Sequence, residues 1–241
     1  KLKEEFSVLT NGEFEGRRGV NRIIENCIPE NEKKDKNNGL YLPGLAAGGV
    51  QYQDRYGNTS NLGINDQEIT FLANLPKRMK EIVFQKIKVL LPKLNIAELK
   101  NETDIAVIDT QLSPTLNLNR LFNYTKDSIE KSREIQDMIL EVMNEMLKEA
   151  KSNNLDESFY LHIAPNLVDK EGRETIKYSQ KGDIGTTDIQ FMLRGAHKEA
   201  GLLVILNKYI QEKRGYSPFG KDFNSRNAPK AIEDLLKLCT K

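Results

Sequence analysis

Glycine is segregated in this sequence, and the segregation limits what each part of the chain can form. Nine of the sixteen glycines lie between Gly12 and Gly63, and none occurs from Ile64 through Glu171. A glycine inside a helix or strand costs roughly 0.5–1 kcal/mol relative to alanine, so the first quarter is expected to be loop-rich and the stretch after it regular. The first 63 residues carry a charged run at 30–39, then Pro43-Gly44 and Gly48-Gly49, with only short apolar stretches between them. Residues 1–63 therefore read as an extended, loop-rich N-terminal arm with one short helix near Val20 to Cys27, ordered by packing on the rest of the chain or on a partner. Residues 64–241 read as one helix-rich globular domain. Gly44 to Gly49 does not make a phosphate loop, because it lacks the Lys-Ser/Thr that reaches phosphate and magnesium and no apolar strand precedes it.

Beyond Asn65 the apolar period becomes helical. Asn65 or Asp66 is expected to cap a short helix through Asn74, and Pro76 to open a second, where its missing N–H does no harm. In that second helix Met79, Ile82, Val83, Ile87, Leu90 and Leu91 form one apolar stripe, while Lys77, Arg78, Lys80, Lys86 and Lys88 face outward against Glu81 alone. A helix over 126–151 places Ile135, Met138, Ile139, Val142, Met143, Met146 and Leu147 inward and stacks Asp137, Glu141, Glu145 and Glu149 four residues apart outside. Like charges at that spacing repel, so a nearby cation is expected. The two helices answer each other, within one chain or between subunits.

Strands are expected at Ile105 to Ile108 and, as a hairpin around the Asp169–Gly172 turn, at Ser158 to Ile163 and Thr175 to Tyr178. Thr187 with Gln190 reads as a capping box opening a helix that buries Ile189, Met192, Leu193, Ala196 and Ala200. A last helix is expected from Pro229, capped by Asn227, with Ile232, Leu235, Leu236 and Cys239 facing inward. The fold class is α+β and helix-rich, with long amphipathic helices packed on a small sheet and the Gly-rich arm extended from it.

Composition excludes several functions. Lys and Arg number 36 against 35 Asp and Glu, so the basic excess of a dedicated nucleic-acid binder is absent, although the Lys77–Lys88 face leaves nucleic acid open as a partner. No apolar run approaches the roughly 18–20 residues of a membrane span. Cys27 and Cys239 cannot build a disulfide framework or a zinc site. No basic start followed by an apolar centre marks a secretion signal, and the expected location is the cytoplasm or a virion. Abundant Lys and Asn suggest an AT-rich genome, bacterial or viral.

Catalytic chemistry is sparse. His162 and His197 are the only histidines, and neither sits beside a nucleophile in a recognisable signature. His162 reads as a core histidine bonded to a backbone carbonyl. Asp104 through Gln111 resembles the metal-binding strand of restriction-endonuclease-like nucleases. That resemblance implies Asp109 on Mg²⁺ and Gln111 orienting the attacking water, with Gln where lysine is usual and no separate upstream Asp. Asp109 to Ser113 together with Gly185 to Asp188 resembles the metal site of von Willebrand A domains, with Gln111 standing where serine belongs.

These features point to a non-catalytic structural or assembly subunit of a larger complex, of phage or viral type, that binds copies of itself or other proteins of the assembly. Its partner-binding residues are Lys77, Arg78, Lys80, Lys86 and Lys88 on one helix and Asp137, Glu141, Glu145 and Glu149 on the other, and it requires no cofactor. The alternative is a nucleic-acid-processing enzyme, a nuclease with Asp109 and Gln111 at its site, and only that reading calls for Mg²⁺.

Overall fold

The structure, a computed structural model, describes residues 6–29, 39–165 and 167–240, so most of the charged run at 30–39 lies outside the described residues. Contacts gather the chain into two compact units. One comprises residues up to Asn65 together with those from Gly195 onward, the other Asp66–Arg194.

The second unit bears out the expectation of long amphipathic helices on a small sheet. Helices α2 (Asp66–Leu90), α3 (Ile96–Ala106) and α4 (Ile129–Ser152) accompany strands β5 (Val107–Ile108), β6 (Thr115–Asn117), β7 (Phe159–Ala164) and β10 (Asp188–Leu193). The strands form an antiparallel sheet in the order β5-β6-β10-β7. Helix α2 packs on α3 and α4, and α4 packs on β7 and β10. The stripe of α4 is buried as its period requires, from Ile135 through Met146. Phe71, Phe159 and Phe191 bring their rings within 5.0–6.0 Å of one another between helix and sheet.

Four elements differ from expectation. The strand expected at Ile105 to Ile108 begins only at Val107, because α3 continues through Ala106. Pro76 lies inside α2, which runs unbroken as one helix. Proline costs a helix about 3 kcal/mol, but Leu72, Leu75, Met79, Val83 and Ile87 are all buried, and this continuous stripe on both sides of Pro76 outweighs the loss. Residues 188–193 form a strand, not a capped helix: Ile189, Phe191 and Leu193 alternate inward, and the full length of β10 pairs with β7, from Asp188↔Ala164 to Leu193↔Phe159. The Asp169–Gly172 turn exists, yet it joins only β8 (Leu167–Val168) to β9 (Glu174–Thr175).

The buried Gln136 of α4 organises the loop from β9 to β10. Its Nε2 lies 3.1–3.2 Å from the carbonyl oxygens of Lys177, Ile184 and Thr186, so its two N–H groups are shared among three acceptors. Its Oε1 accepts from the Ser179 N–H at 2.9 Å. Arg133 Nε donates to Ser179 O, and Thr186 and Lys177 close the neck of the loop with reciprocal bonds.

The first unit holds helix α1 (Val20–Cys27), as expected, but the Gly-rich arm is not confirmed. Strands β1 (Val8–Leu9), β2 (Gly44–Ala46), β3 (Gln51–Gln53) and β4 (Thr59–Asn61) form one sheet in chain order, with β1 and β2 parallel and the other pairs antiparallel. Much of its cohesion is polar and so does not show in a hydrophobic pattern. Asn21 and Gln53 exchange side-chain hydrogen bonds of 2.6 and 3.0 Å, and Gln51 accepts from the Phe14 N–H, all of them buried.

Helix α5 (Lys198–Arg214) packs on β1, β2 and the 3₁₀ turn at Ala47–Gly49, and helix α6 (Ile232–Leu238) packs on α5. Of the α6 residues expected inward, Leu235 is buried, whereas Ile232, Leu236 and Cys239 are exposed. Gly49 has φ 103°, and a β-carbon there would meet Ser225 Oγ at 2.9 Å and Gly201 Cα at 3.0 Å.

Two substitutions test these contacts by urea unfolding. Gly49→Ala is expected to cost about 1–3 kcal/mol, against less than about 0.5 for Gly12→Ala in its open position. Gln136→Leu leaves several backbone groups of the loop unpaired and is expected to cost about 2–4 kcal/mol.

Candidate functional site

The two charged helix faces meet inside one chain. Arg78 of α2 pairs with Glu149 of α4 at 2.7 Å, and Lys86 with Glu141 at 2.6 Å. Lys80 turns to Asp104 of α3 at 2.9 Å, and Asp137 accepts from the Tyr178 hydroxyl. Glu145 is half-buried, while Lys77 and Lys88 remain exposed. Exposed ion pairs contribute about 0–1 kcal/mol each, so their main effect is to cancel the repulsion along each helix. Two pairs of the complementarity that suggested an external partner thus close between α2 and α4, and Lys80 and Asp137 find other partners within the chain.

At one end of this pairing a cleft of about 820 Å³ opens, lined by Asp66, Thr70, Asn74, Lys77, Arg78 and Glu149 among others. Asp109 and Gln111 do not line it. Both are exposed in the connection between β5 and β6. The acids close to them in sequence are committed elsewhere, Asp104 to Lys80 and the buried Glu102 to Arg120 and Tyr124. Among the described residues no group of three or more His, Cys, Asp or Glu side chains converges to hold a metal ion.

Two features of the second unit place polar chemistry on a rigid support. The loop fastened by Gln136 presents Lys177 and Asp183 as an ion pair. The hydrogen bond from Lys177, and then the Gly185 N–H, hold the Asp183 carboxyl below its ordinary range. On β7, His162 Nδ1 lies 3.0 Å from Glu174 Oε1, while Glu174 Oε2 accepts from the Ile163 N–H at 2.6 Å. His162 thus has a carboxylate partner where the sequence suggested a backbone carbonyl, and the carboxylate fixes the ring. His197 caps α5, its Nδ1 accepting from the Ala200 N–H.

The first unit has a cleft of its own, of about 580 Å³, between the β3–β4 hairpin and α5. Ile205, Lys208, Tyr209 and Glu212 face it at the i, i+3, i+4, i+7 spacing of one helix side. Tyr52 projects from β3 between the buried Gln51 and Gln53, and Lys208 Nζ stands 4.2 Å from its ring centroid. Burial, then the nearby Glu212 and Asp54 carboxylates, raise the Tyr52 phenol above its ordinary value. In the turn beyond β3, Asp54 Oδ1 accepts from the Tyr56 and Asn58 N–H groups. Gly57, at φ 77°, leaves room for the Tyr41 ring, which a β-carbon would meet at 2.9 Å. Arg55 and Tyr56 are held at the mouth by this turn.

The class these observations define is a protein with concave polar clefts of small-molecule size, its helix charges largely paired internally. Residues 1–241 match the family described as glucosylglycerol-phosphate phosphatase, and the chain belongs to that family. A protein of Synechocystis sp. named glucosylglycerol-phosphate phosphatase is 42% identical over 236 residues, which cover 98% of this chain and 56% of that protein. The chain thus spans about half the length of the curated relative it matches. No solved structure matches it.

Family membership overturns the reading as a non-catalytic assembly subunit, with its phage or viral origin, its self or assembly partners and its nucleic-acid contact through Lys77–Lys88. The nuclease alternative at Asp109 and Gln111 falls with it. The error has a physical source: paired charged faces look the same in sequence whether the pairing lies within a chain or between chains.

The Lys177–Asp183 pair sets a pH dependence. Because the folded carboxyl titrates below the unfolded one, its contribution to stability is present above the unfolded pKa and is lost as pH falls through the folded value. An NMR titration of the Gly185 amide is expected to show a midpoint below the ordinary value of 3.8, rising in Lys177→Met. A midpoint indifferent to that substitution contradicts the assignment.

Proposed function

We propose that the protein hydrolyses the phosphomonoester of glucosylglycerol phosphate, or of a closely similar phosphorylated glycoside, releasing inorganic phosphate and the neutral glycoside. The observation that carries this reading is the family match along the whole of residues 1–241, supported by 42% identity to the Synechocystis phosphatase.

The reaction breaks the bond between phosphorus and the sugar-side oxygen and forms one to a water oxygen. Charge on the phosphoryl oxygens must be neutralised, and the departing alkoxide needs a proton. Among the described residues His162 is suited to that proton transfer, since Glu174 holds its Nδ1 and sets the ring orientation. The loop fastened by Gln136 carries the Lys177–Asp183 ion pair and Lys181, so the positive charge it brings is that of Lys181. Mg²⁺ is the metal most often paired with such chemistry, and among the described residues no three His, Cys, Asp or Glu side chains converge to hold it. The cytoplasm belongs to the same proposal, because a phosphomonoester dianion does not cross a bilayer unaided. Among the described residues no helix is long and apolar enough to cross a membrane.

Phosphate release from glucosylglycerol phosphate by the protein at its native length, with and without Mg²⁺, tests the reading. Turnover is expected to yield one neutral glycoside per phosphate, and no turnover under either condition sinks it. His162→Gln is expected to lower kcat by about 10²-fold or more if the imidazole moves the proton. A smaller change with altered thermal unfolding would assign His162 to the β-sheet alone.

A further inference from the structure

The cleft of the first unit brings three tyrosines together with a carboxylate and two cations. Tyr56 and Tyr209 are 42% and 48% exposed, and Tyr52 is half-buried with its ring open to the cleft. Two half-exposed tyrosines at one cleft offer flat apolar faces that a ligand with a matching face can cover. Beside them stand a carboxylate, Glu212, and two cations, Lys208 and Arg55.

This set selects among ligand classes. The carbon-bound hydrogens of a pyranose ring give it an apolar face that covers a tyrosine, while its hydroxyl rim donates to carboxylates and to phenol oxygens. A polyphosphate would be repelled by Glu212 and Asp54, whereas a single phosphate at one end of a glycoside meets Lys208 or Arg55 and leaves the acids to the hydroxyls. An aliphatic ligand would offer Glu212 no donor and would pay for its desolvation.

We infer that this cleft is a glycoside-binding site, with Tyr56 and Tyr209 holding the sugar ring, Glu212 accepting from its hydroxyls, and Lys208 and Arg55 favouring a monophosphorylated form. The choice of glucosylglycerol as the sugar rests on the proposed function, while the binding site itself does not depend on hydrolysis. Backbone structure sets where these residues stand. Tyr52, Lys208 and Glu212 lie on regular elements, and Tyr56 is set by the Asp54 turn and Gly57.

The experiment is saturation-transfer NMR with neutral glucosylglycerol, glucosylglycerol phosphate and AMP on wild type, Tyr56→Ala/Tyr209→Ala and Tyr56→Phe/Tyr209→Phe. Wild type is expected to bind both glycosides. The double alanine variant is expected to lose about tenfold or more in affinity for each, and the double phenylalanine variant to recover most of it. Lys208→Met is expected to weaken the phosphorylated glycoside about fivefold more than the neutral one. Phenylalanine rescue separates lost stacking from misfolding, and circular dichroism of each variant checks the fold.

No glycoside binding to wild type, unchanged binding in the alanine variant, or tighter binding of AMP than of glucosylglycerol phosphate each overturns the inference. Glycoside binding that the alanine variant loses, in a protein that releases no phosphate, upholds the site and sinks only the hydrolytic reading. Phosphate release without tyrosine-dependent binding does the reverse.

Discussion

The backbone approach between Gly49 and Gly201 is the constraint on which the first unit rests. A β-carbon on Gly49 would stand 3.0 Å from Gly201 Cα, and one on Gly201 would stand 2.8 Å from Leu9 Cδ1. Side chains at these positions would hold α5 away from the turn at Ala47–Gly49. Ser225 seals the contact from a third segment, its hydroxyl donating to Gly49 O at 2.8 Å in a buried setting. Residues more than 150 apart in sequence are thereby joined, and the wall that α5 gives the tyrosine cleft is fixed relative to β3. Glycine is crowded into the first quarter partly because close packing demands it.

How much of the fold could be read depended on whether the cause was local. Helix α4 was legible because burying one side of a 3.6-residue period leaves a trace in any short window, and α1 was legible between its glycines. The Pro76 break was misread because the competing cause, a stripe buried from Leu72 to Ile87, is a tertiary one. Strand β10 was mistaken for a helix since Thr187 and Gln190 imitate a cap, while its pairing with β7 lies about 30 residues away. The first quarter looked unable to bury itself because its interior is built with Asn21, Gln51 and Gln53, residue types that hydrophobic patterning discards.

The site was legible in fragments. The basic and acidic faces were identified residue by residue, yet nothing in their spacing says that Arg78 meets Glu149 of the same chain. Gln136 gave no signal, since one glutamine in an apolar stripe looks like an interruption and its partners are backbone groups 41 to 50 residues on. One clue was available: Ile205, Lys208, Tyr209 and Glu212 have the i, i+3, i+4, i+7 spacing of one helix side. It needed Tyr52 and Tyr56, some 150 residues earlier, to become a site. Family membership likewise had no short motif to announce it and emerged only from similarity along the entire chain.

Strand β3 shows why the tyrosine cleft is more than a leftover of packing. Alternation puts Gln51 and Gln53 on the buried face and Tyr52 on the face toward the cleft, the reverse of what the hydrophobic effect alone prefers. Burying amides costs less when their polar groups are paired: Gln53 bonds through both ends of its amide to Asn21 and to Leu42 O, and the Gln51 Oε1 accepts from the Phe14 N–H. A one-residue slip in register would bury Tyr52 and solvate both amides. The hydrogen-bond network opposes the slip, so the polar interior is what keeps the Tyr52 ring at the cleft, against Lys208.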